Sequence, residues 1–197
     1  MLGGDMIGLD LARSLVQAGY RVRLVSGEMT FWPHQVAEEQ RGMFCDGLRN
    51  MGIEVIKGDG AGGVRAIEVG ATGLPARRLV FHDGSDLYGD LVMSFMGLVP
   101  ATEFMISSGL DIERGVLVST ALQTSNAHIY AAGDVCQIWS PEEHCYRFYY
   151  GYHNVKSMGI VAAHNMMGAN EQFVSTRGES LRLDQQGHID SPFWECD

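Results

Sequence analysis

The stretch Thr124-Ser125-Asn126-Ala127-His128-Ile129-Tyr130-Ala131-Ala132-Gly133-Asp134-Val135 decides the expected fold. It predicts a polar turn, then an apolar strand over residues 129–132, then a Gly-Asp pair where the strand ends. Gly133 lets another backbone or a ligand approach closely. Asp134 places a hydrogen-bond acceptor at the carboxyl end of a strand, where open α/β sheets bind ligands. The alternative is a core strand followed by an aspartate that caps the next turn, and these residues alone leave both open.

Composition narrows the class of protein around this stretch. The chain has 197 residues, 46% of them hydrophobic, which is enough for one large or two small domains. A net charge of −10 argues against a nucleic-acid or anionic-membrane surface. No run approaches the roughly 18 apolar residues of a membrane helix, and no signal peptide is visible. The four cysteines lie far apart without a C-x-x-C pair, so we expect a cytoplasmic protein without a metal site: Cys45, Cys136, Cys145 and Cys196.

Residues 1–26 predict the opening of a dinucleotide-binding βαβ unit. A short apolar start leads into Gly3-Gly4-Asp5-Met6-Ile7-Gly8, a helix follows and ends at Gly19, and residues 20–26 alternate as a strand. The helix positions that we expect to face the core are Ile7, Leu11, Leu15 and Ala18.

The G-x-G-x-x-G fingerprint of this unit is imperfect. Gly3 and Gly8 hold the first and third places, but Asp5 stands where the second glycine lets the backbone approach a pyrophosphate. A carboxylate about 4 Å from a phosphate would cost about 4 kcal/mol at an effective dielectric of about 20, a roughly thousandfold loss in affinity unless Asp5 turns away. Ser26 replaces the ribose-binding acid, Glu28 lies two residues on, and no arginine follows Ser26 to bind a 2′-phosphate. The alternative to nicotinamide binding is a βαβ unit retained for packing.

A loop with two large aromatic residues follows this unit. Phe31 and Trp32 favour a lid over the edge of the core, and His34 has only a weak claim as a catalytic base because no partner is in view.

The rest of the chain predicts alternating helices and strands. Residues 36–51 predict a helix whose apolar side is Val36, Met43, Leu48 and Met51. Strands are expected at residues 53–56, 64–69, 78–81, 90–96 and 115–119, with a glycine-rich turn at 58–63, a β-meander over 64–81 and helical segments at 104–109 and 152–168. The last helix turns Val155, Met158, Val161, Ala162 and Met166 to one side. We expect a loop over residues 136–151, and no clear pattern after residue 169, where the chain is partly disordered or docked on another chain.

Taken in this order, the motifs resemble the pyridine nucleotide-disulfide oxidoreductase family, flavoproteins with two dinucleotide-binding domains. Residues 3–10 are similar to its nicotinamide fingerprint, Gly-Gly-Gly-x-Ile-Gly-x-Glu, and residues 90–100 to its strand ending in Gly-x-x-Pro. Residues 124–135 resemble its second flavin motif, whose aspartate contacts the ribityl chain of FAD. Residues 153–168 resemble the helix that packs near the isoalloxazine ring.

The resemblance implies an α/β fold and a flavin-linked activity. It implies a Rossmann-like three-layer nucleotide-binding domain with an inserted β-meander over residues 1–96, part of an FAD-binding domain over 97–168, and a tail over 169–197. The implied function is that of an FAD-dependent NAD(P)H oxidoreductase, or a component of one, passing electrons through flavin to an acceptor protein. No side chain is marked as a catalytic acid, base or nucleophile. The implied cofactor-binding residues are Gly3, Gly4, Gly8, Ser26, Gly97, Gly133 and Asp134.

The chain also departs from the family. The N-terminal FAD-binding βαβ is absent, as is the redox cysteine pair, so ferredoxin and rubredoxin reductases and NADH oxidases are the more similar branches. Without that half, Val116–Val118 and Ile129–Ala132 lose their neighbours, so we expect a partner chain or self-association to cover them. The alternatives are a non-catalytic scaffold subunit and a truncated fragment that binds no cofactor on its own.

Overall fold

The computed structural model describes residues 1–58, 63–69, 77–175, 181–191 and 194. The chain forms two compact units. The first consists of Met1–Gly97 with Ser180–Ser191, and the second of Leu98–Glu179 with Pro192–Asp197. The predicted tail over residues 169–197 is therefore divided between the two units.

The first unit contains β1 (Leu2–Gly3), α1 (Met6–Gln17), β2 (Arg23–Ser26), α2 (Glu38–Asn50), β3 (Glu54–Lys57), β4 (Val64–Val69), β5 (Arg77–Phe81), β6 (Asp86–Gly89) and β7 (Ser94–Phe95). A four-stranded sheet has the order β3-β2-β1-β7, and each neighbouring pair is parallel. Leu2 pairs with Val25 on one side and with Ser94 on the other. A parallel sheet with helical crossovers confirms the predicted Rossmann-like α/β architecture.

The three strands β4, β5 and β6 form the antiparallel meander, in that order. Leu79 of the meander and Leu2 and Val25 of the parallel sheet form one buried cluster, so the two sheets of this unit share a core. Of the glycine-rich turn expected at residues 58–63, residues 59–62 lie outside the described part of the chain.

Helix α1 turns a different face to the core from the one predicted. Met6, Leu9 and Ala12 are buried, whereas Ile7 is 42% and Leu11 37% exposed. The buried face is therefore offset by one residue, or about 100°. The small residues Gly8 and Ala12 lie on the buried face, and they allow the helix to approach the sheet more closely than a row of large side chains would.

Helix α2 also packs differently from the expectation. Its buried residues are Phe44, Gly47 and Leu48, and Met43 is 47% exposed. The Phe44 ring lies against Phe31, with centroids 5.8 Å apart, so an aromatic side chain of the preceding loop fixes the face of this helix.

The second unit contains a 3₁₀ turn at Glu103–Met105, then β8 (Val116–Val118), β9 (Cys136–Ser140), β10 (Cys145–Arg147) and α3 (Tyr152–Met166). Its sheet has the order β10-β9-β8, parallel between β8 and β9 and antiparallel between β9 and β10. Helix α3 covers this sheet with Met158, Val161 and Ala162, whereas Met166 is 69% exposed and does not join the predicted apolar side.

Three expectations for the second unit are wrong. The helix expected at residues 104–109 is only the short 3₁₀ turn, and of the loop expected at residues 136–151, residues 136–147 form the β9-β10 hairpin. The strand expected at residues 129–132 is reduced to one isolated bridge between Tyr130 and Gln123. The backbone of this segment makes hydrogen bonds to nearby residues, for example from the Ala131 amide to the Leu122 carbonyl at 3.1 Å. The chain then enters the turn at Gly133.

The chain returns to the first unit as a hairpin of β11 (Arg182–Leu183) and β12 (Ile189–Asp190). Residues 181–191 therefore have a defined structure on their own chain, where the sequence predicted disorder or docking on another chain. Within the described residues, no helix is long and apolar enough to cross a membrane.

Candidate nucleotide-binding site

The turn between β1 and α1 depends on two consecutive glycines. Gly3 has φ 92° and Gly4 φ 91°, a conformation that L side chains rarely adopt. A Cβ on Gly3 would lie 2.1 Å from the Phe95 carbonyl oxygen, and one on Gly4 would lie 2.9 Å from Leu24 Cδ1. These two positions therefore require glycine, as the fingerprint predicts.

The third glycine of the fingerprint serves helix packing. A Cβ on Gly8 would lie 2.5 Å from Cγ of Phe95 and 2.6 Å from its Cβ. The start of α1 therefore lies directly on β7, with no room for a methyl group.

Asp5 is buried in this turn, with 2% of its surface exposed. Its Oδ1 accepts the amide of Gly8 at 2.9 Å and caps α1, while its Oδ2 accepts the amide of Gly97 at 2.9 Å. The carboxylate thus points into the protein and not towards a phosphate. This is the case in which the sequence predicts no thousandfold loss of affinity, because Asp5 turns away. Its negative charge nevertheless lies at the helix N-terminus, where it offsets the positive end of the helix dipole.

The loop after β2 closes over the same turn. The amide of Phe31 donates to the Gly4 carbonyl at 2.8 Å, the amide of Met6 donates to the Trp32 carbonyl at 2.8 Å, and the hydroxyl of Thr30 donates to the Gly3 carbonyl. Phe31 is fully buried with φ 77°, so it belongs to the core, whereas the sequence favoured a lid. The peptide bond between Trp32 and Pro33 is cis.

A cavity of about 270 Å³ lies at the carboxyl ends of β1 and β2. It is bounded by Leu2, Gly3, Val25, Ser26, Gly27, Glu28, Met29, Val64, Arg65, Ala66, Ile67 and Met96. Gly3 and Ser26 thus share one cavity, as expected for a nucleotide site at the edge of a parallel sheet. The hydroxyl of Ser26 donates to the Ile56 carbonyl at 3.2 Å, and Glu28 is exposed at the rim.

Two parts of the protein that shape this site, Arg41 and strand β4, were not predicted from the sequence. Arg41 of α2 donates to the carbonyls of Gly27 at 3.1 Å and Glu28 at 3.0 Å, so a guanidinium supports the loop from a helix 14 residues away. Strand β4 supplies one wall through residues 64–67. No local spacing signals either contribution, because both depend on how distant elements pack.

The cavity fits the nucleoside end of a dinucleotide better than its pyrophosphate. Ser26 and Glu28 offer polar groups to a ribose, and Gly3 and Gly27 leave the backbone accessible. The amides of Met6 and Gly8, at the helix start where a pyrophosphate binds in such folds, already donate to Trp32 and Asp5. The residues present therefore suit an adenosine moiety and give little support to phosphates.

A second candidate site lies at Gly133-Asp134. Gly133 is buried with φ 86°, its amide donates to Sδ of Met158 at 3.3 Å, and its carbonyl accepts the amide of Cys136 at 3.1 Å. Asp134 is exposed as a residue, yet partial burial of its carboxyl group raises its pKa. This acceptor suits the hydroxyl-bearing chain of a flavin. Burial raises the pKa of Cys136 to about 12, which keeps its thiol neutral and argues against a redox role.

His34, the weak candidate for a catalytic base, has a structural contact. Nε2 of His34 lies 2.8 Å from the buried Oγ of Ser191, so the histidine has a structural partner. Among residues 1–58, 63–69, 77–175, 181–191 and 194, no group of histidine, cysteine and acidic side chains could hold a metal ion.

The parallel sheet, the glycine turn and the cavity at its edge define a protein of the Rossmann-like nucleotide-binding class. The model of the pyridine nucleotide-disulphide oxidoreductase family matches residues 1–166, so the chain belongs to this family.

Named relatives fit this assignment. The rubredoxin-NAD(+) reductase of Alcanivorax borkumensis is 34% identical over 138 residues, which cover 70% of this chain and 35% of that protein. The nitric oxide reductase FlRd-NAD(+) reductase of Pectobacterium atrosepticum is 28% identical over 171 residues, which cover 87% of this chain and 42% of that protein. The chain thus spans well under half the length of these relatives.

A solved structure is similar as well. A ferredoxin reductase from Rhodopseudomonas palustris matches with a TM-score of 0.71 and 27% identity, covering 88% of this chain and 42% of that one.

Proposed function

We propose that this chain is the nicotinamide-nucleotide-binding component of an FAD-dependent NAD(P)H oxidoreductase. The observation that carries the proposal is the cavity of about 270 Å³ that joins Gly3 and Ser26 at the edge of the parallel sheet. When bound, FAD would supply the redox chemistry, since flavin accepts hydride and the protein contributes binding and orientation.

The roles of the site residues form part of this proposal. Gly3, Gly4 and Gly8 shape the turn beside the nucleotide, and Ser26 faces its ribose. Gly97 is held at the turn by Asp5. In the second unit, Gly133 and Asp134 are assigned to the flavin, with Asp134 accepting a hydrogen bond from a ribityl hydroxyl.

A partner belongs to the proposal too. The surface that the sequence predicted for this partner is largely closed, because Val116 and Val118 are each 1% exposed and lie in the core of the second unit. The exposed apolar side chains lie instead in the segment that opens this unit, where Val99 is 88%, Phe104 82% and Ile106 75% exposed. Apolar side chains of this size favour association. We propose that this exposed apolar segment is covered by a flavin-binding half on a partner chain or, failing that, by self-association. By analogy with the relatives, whose names specify rubredoxin and FlRd, the proposed electron acceptor is a small redox protein.

We propose that the protein is cytoplasmic, on the basis of its cysteines. Among the described residues, Cys45, Cys136 and Cys145 are free thiols, which suits a reducing compartment.

The second candidate is a non-catalytic subunit that keeps the fold without binding the dinucleotide. The observation in its favour is the helix start, where Asp5 and the Trp32 carbonyl already use the amides of Gly8 and Met6. A buried carboxylate at that place also repels phosphate.

Titration calorimetry with ADP-ribose, NADH and NADPH, together with flavin absorbance, tests the proposal. We expect measurable ADP-ribose binding by the purified chain, and flavin absorbance that NADH bleaches without oxygen once the partner is present. Asp134→Ala is the matched variant, because it removes the acceptor and should lower flavin retention while leaving ADP-ribose binding unchanged. A colourless protein that binds none of the three nucleotides would support the non-catalytic subunit.

A further inference from the structure

We infer that the C-terminal hairpin, residues 181–191, is a positioning element for the nucleotide cavity. It acts by holding the loop of residues 27–34, and its final residue, Ser191, makes the decisive contact through His34. The part of this inference that concerns nucleotide affinity rests on the proposed function, and the part that concerns the loop does not.

The loop needs support from outside itself. Its first residues, Gly27, Glu28 and Met29, form one side of the cavity. Phe31 has φ 77°, which for a bulky non-glycine residue is unfavourable and persists only where surrounding contacts enforce it. Any relaxation at Phe31 would shift both the cavity wall and the hydrogen bond from the Phe31 amide to Gly4.

The short hairpin is stabilised by hydrogen bonds within its own turn. In its turn, Oδ1 of Asp184 accepts the amides of Gln186 and His188, each at 2.8 Å. Gly187 takes the positive φ of 75° that closes the turn. Such local hydrogen bonds hold the two short strands in register without help from a larger sheet.

The hairpin docks on α2 at a glycine. A Cβ on Gly47 would lie 2.8 Å from Leu183 Cδ2, 3.1 Å from Ile189 Cδ1 and 3.2 Å from the Gly187 carbonyl oxygen. The Asn50 side chain donates to that same carbonyl at 3.1 Å. The hairpin therefore lies in direct contact with the helix along its last two turns.

From this docked position the hairpin reaches the loop. Ser191 is 1% exposed, and its Oγ lies 2.8 Å from His34 Nε2. The amide of His34 in turn donates to the Phe31 carbonyl at 2.8 Å. Helix α2 holds the other end of the loop, since Arg41 donates to the carbonyls of Gly27 and Glu28. The loop is thus fixed at both ends, once by α2 and once by the hairpin docked on α2.

The test uses the full chain and three variants. Ser191→Ala removes the hydroxyl that His34 contacts, and Gly47→Ala crowds Leu183, Ile189 and the Gly187 carbonyl where the hairpin packs on α2. Gly42→Ala is the control on the same helix, because a Cβ there meets nothing within 4 Å. Hydrogen exchange at the amides of Phe31 and Met6 reports on the loop, and ADP-ribose titration reports on the cavity.

We expect Ser191→Ala and Gly47→Ala to speed exchange at both amides about five- to tenfold, which corresponds to the loss of one net hydrogen bond. ADP-ribose affinity should fall by a similar factor, while Gly42→Ala changes neither. If Ser191→Ala lowers the melting temperature and leaves loop exchange unchanged, the hairpin is only a stabilising element and the inference is overturned. If loop exchange rises but the unsubstituted protein binds no nucleotide, the inference about the loop stands and the proposed function fails.

Discussion

The carboxylate of Asp5 and the amide of Gly97 lie 2.9 Å apart across 92 residues of sequence. The contact joins the turn after β1 to the residue that ends the first unit, two residues beyond β7. The residue that breaks the glycine fingerprint therefore has a structural purpose, because it caps α1 and fixes the exit of the chain from the sheet.

Removing the charge of Asp5 should improve nucleotide binding. Asp5→Asn keeps an oxygen that can cap Gly8, replaces the acceptor of the Gly97 amide by an NH2 donor, and loses the negative charge at the helix start. We expect affinity for NADH to rise about tenfold or more, equivalent to about 1.4 kcal/mol or more, while affinity for adenosine stays the same. Titration of the two ligands in parallel measures the difference.

Asp5→Gly completes the comparison, because it restores the fingerprint and removes both hydrogen bonds. We expect the same gain for NADH together with a lower midpoint of urea unfolding. Equal NADH affinity in all three proteins would show that the carboxylate has no influence on the phosphates.

Adding one methyl group at Gly8 should destabilise the first unit. The new Cβ would lie 2.5 Å from Phe95 Cγ, a ring atom close to the backbone with little freedom to move. Overpacking of this kind typically costs about 1–3 kcal/mol of the free energy of unfolding. Gly42→Ala, with open space around it, should instead stabilise α2 by up to about 1 kcal/mol. Urea unfolding of both variants measures the two free energies of unfolding. A Gly8→Ala protein as stable as the Gly42→Ala protein would contradict the close packing of α1 on β7.

Asp134 should reduce stability at neutral pH. Burial raises its folded-state pKa above the unfolded value of about 3.9, so ionisation is less favourable in the folded protein. The contribution of Asp134 to stability is therefore most favourable below about pH 4, and it decreases as the pH rises through the unfolded and then the folded pKa. We expect Asp134→Asn to melt at a higher temperature than the unsubstituted protein at pH 7, with the difference vanishing near pH 3.

Asp134→Ala, which removes the acceptor altogether, should lower flavin retention about tenfold or more, because a hydrogen bond to a charged acceptor is lost. Absorbance of bound flavin after gel filtration measures this. Unchanged retention would remove Asp134 from the flavin site.

The turn of the C-terminal hairpin should lose stability as the pH falls, which is the opposite direction to the contribution of Asp134. Hydrogen bonds from the amides of His188 and Gln186 lower the pKa of Asp184 below its usual value. The stabilising effect is complete above about pH 4 and is lost as the pH falls through the lowered folded pKa. Exchange protection of the His188 amide, corrected for intrinsic rates, should decrease over that window. Asp184→Asn keeps the acceptor oxygen and should abolish the pH dependence.

The sequence predicts the parallel part of the fold well. Its motifs are local: Gly3-Gly4 requires positive φ, and the strands predicted at residues 20–26 and 53–56 are found at Arg23–Ser26 and Glu54–Lys57. Two strands of the meander, β4 and β5, were predicted at residues 64–69 and 78–81, whereas β6 was not. The family assignment was confirmed by the match over residues 1–166.

The errors came from contacts between distant residues. Periodicity of large apolar side chains selected Ile7 and Leu11 for the core, but close helix-sheet packing favours the face of Gly8 and Ala12. The β9-β10 hairpin was missed because Gln137, although polar, is buried: its Oε1 accepts the amides of Arg114 at 3.0 Å and Gly115 at 2.7 Å.

At the candidate site, the spacing predicted the glycine turn at Gly3 and Gly4, whereas it did not predict the support of the loop. Arg41 and Ser191 contact the loop from 14 and 157 residues along the chain, and no residue pattern encodes such separations.

The return of residues 180–191 to the first unit has a consequence for how this protein is made. A ribosome releases residues 1–97 long before it synthesises the hairpin, so the first unit cannot complete its structure while the second is still emerging. Assembly of the nucleotide loop must wait until residue 191 has been synthesised, which makes it a non-local event in folding. Expression of residues 1–97 alone would give a sheet with its glycine turn but without the contact from Ser191 to His34.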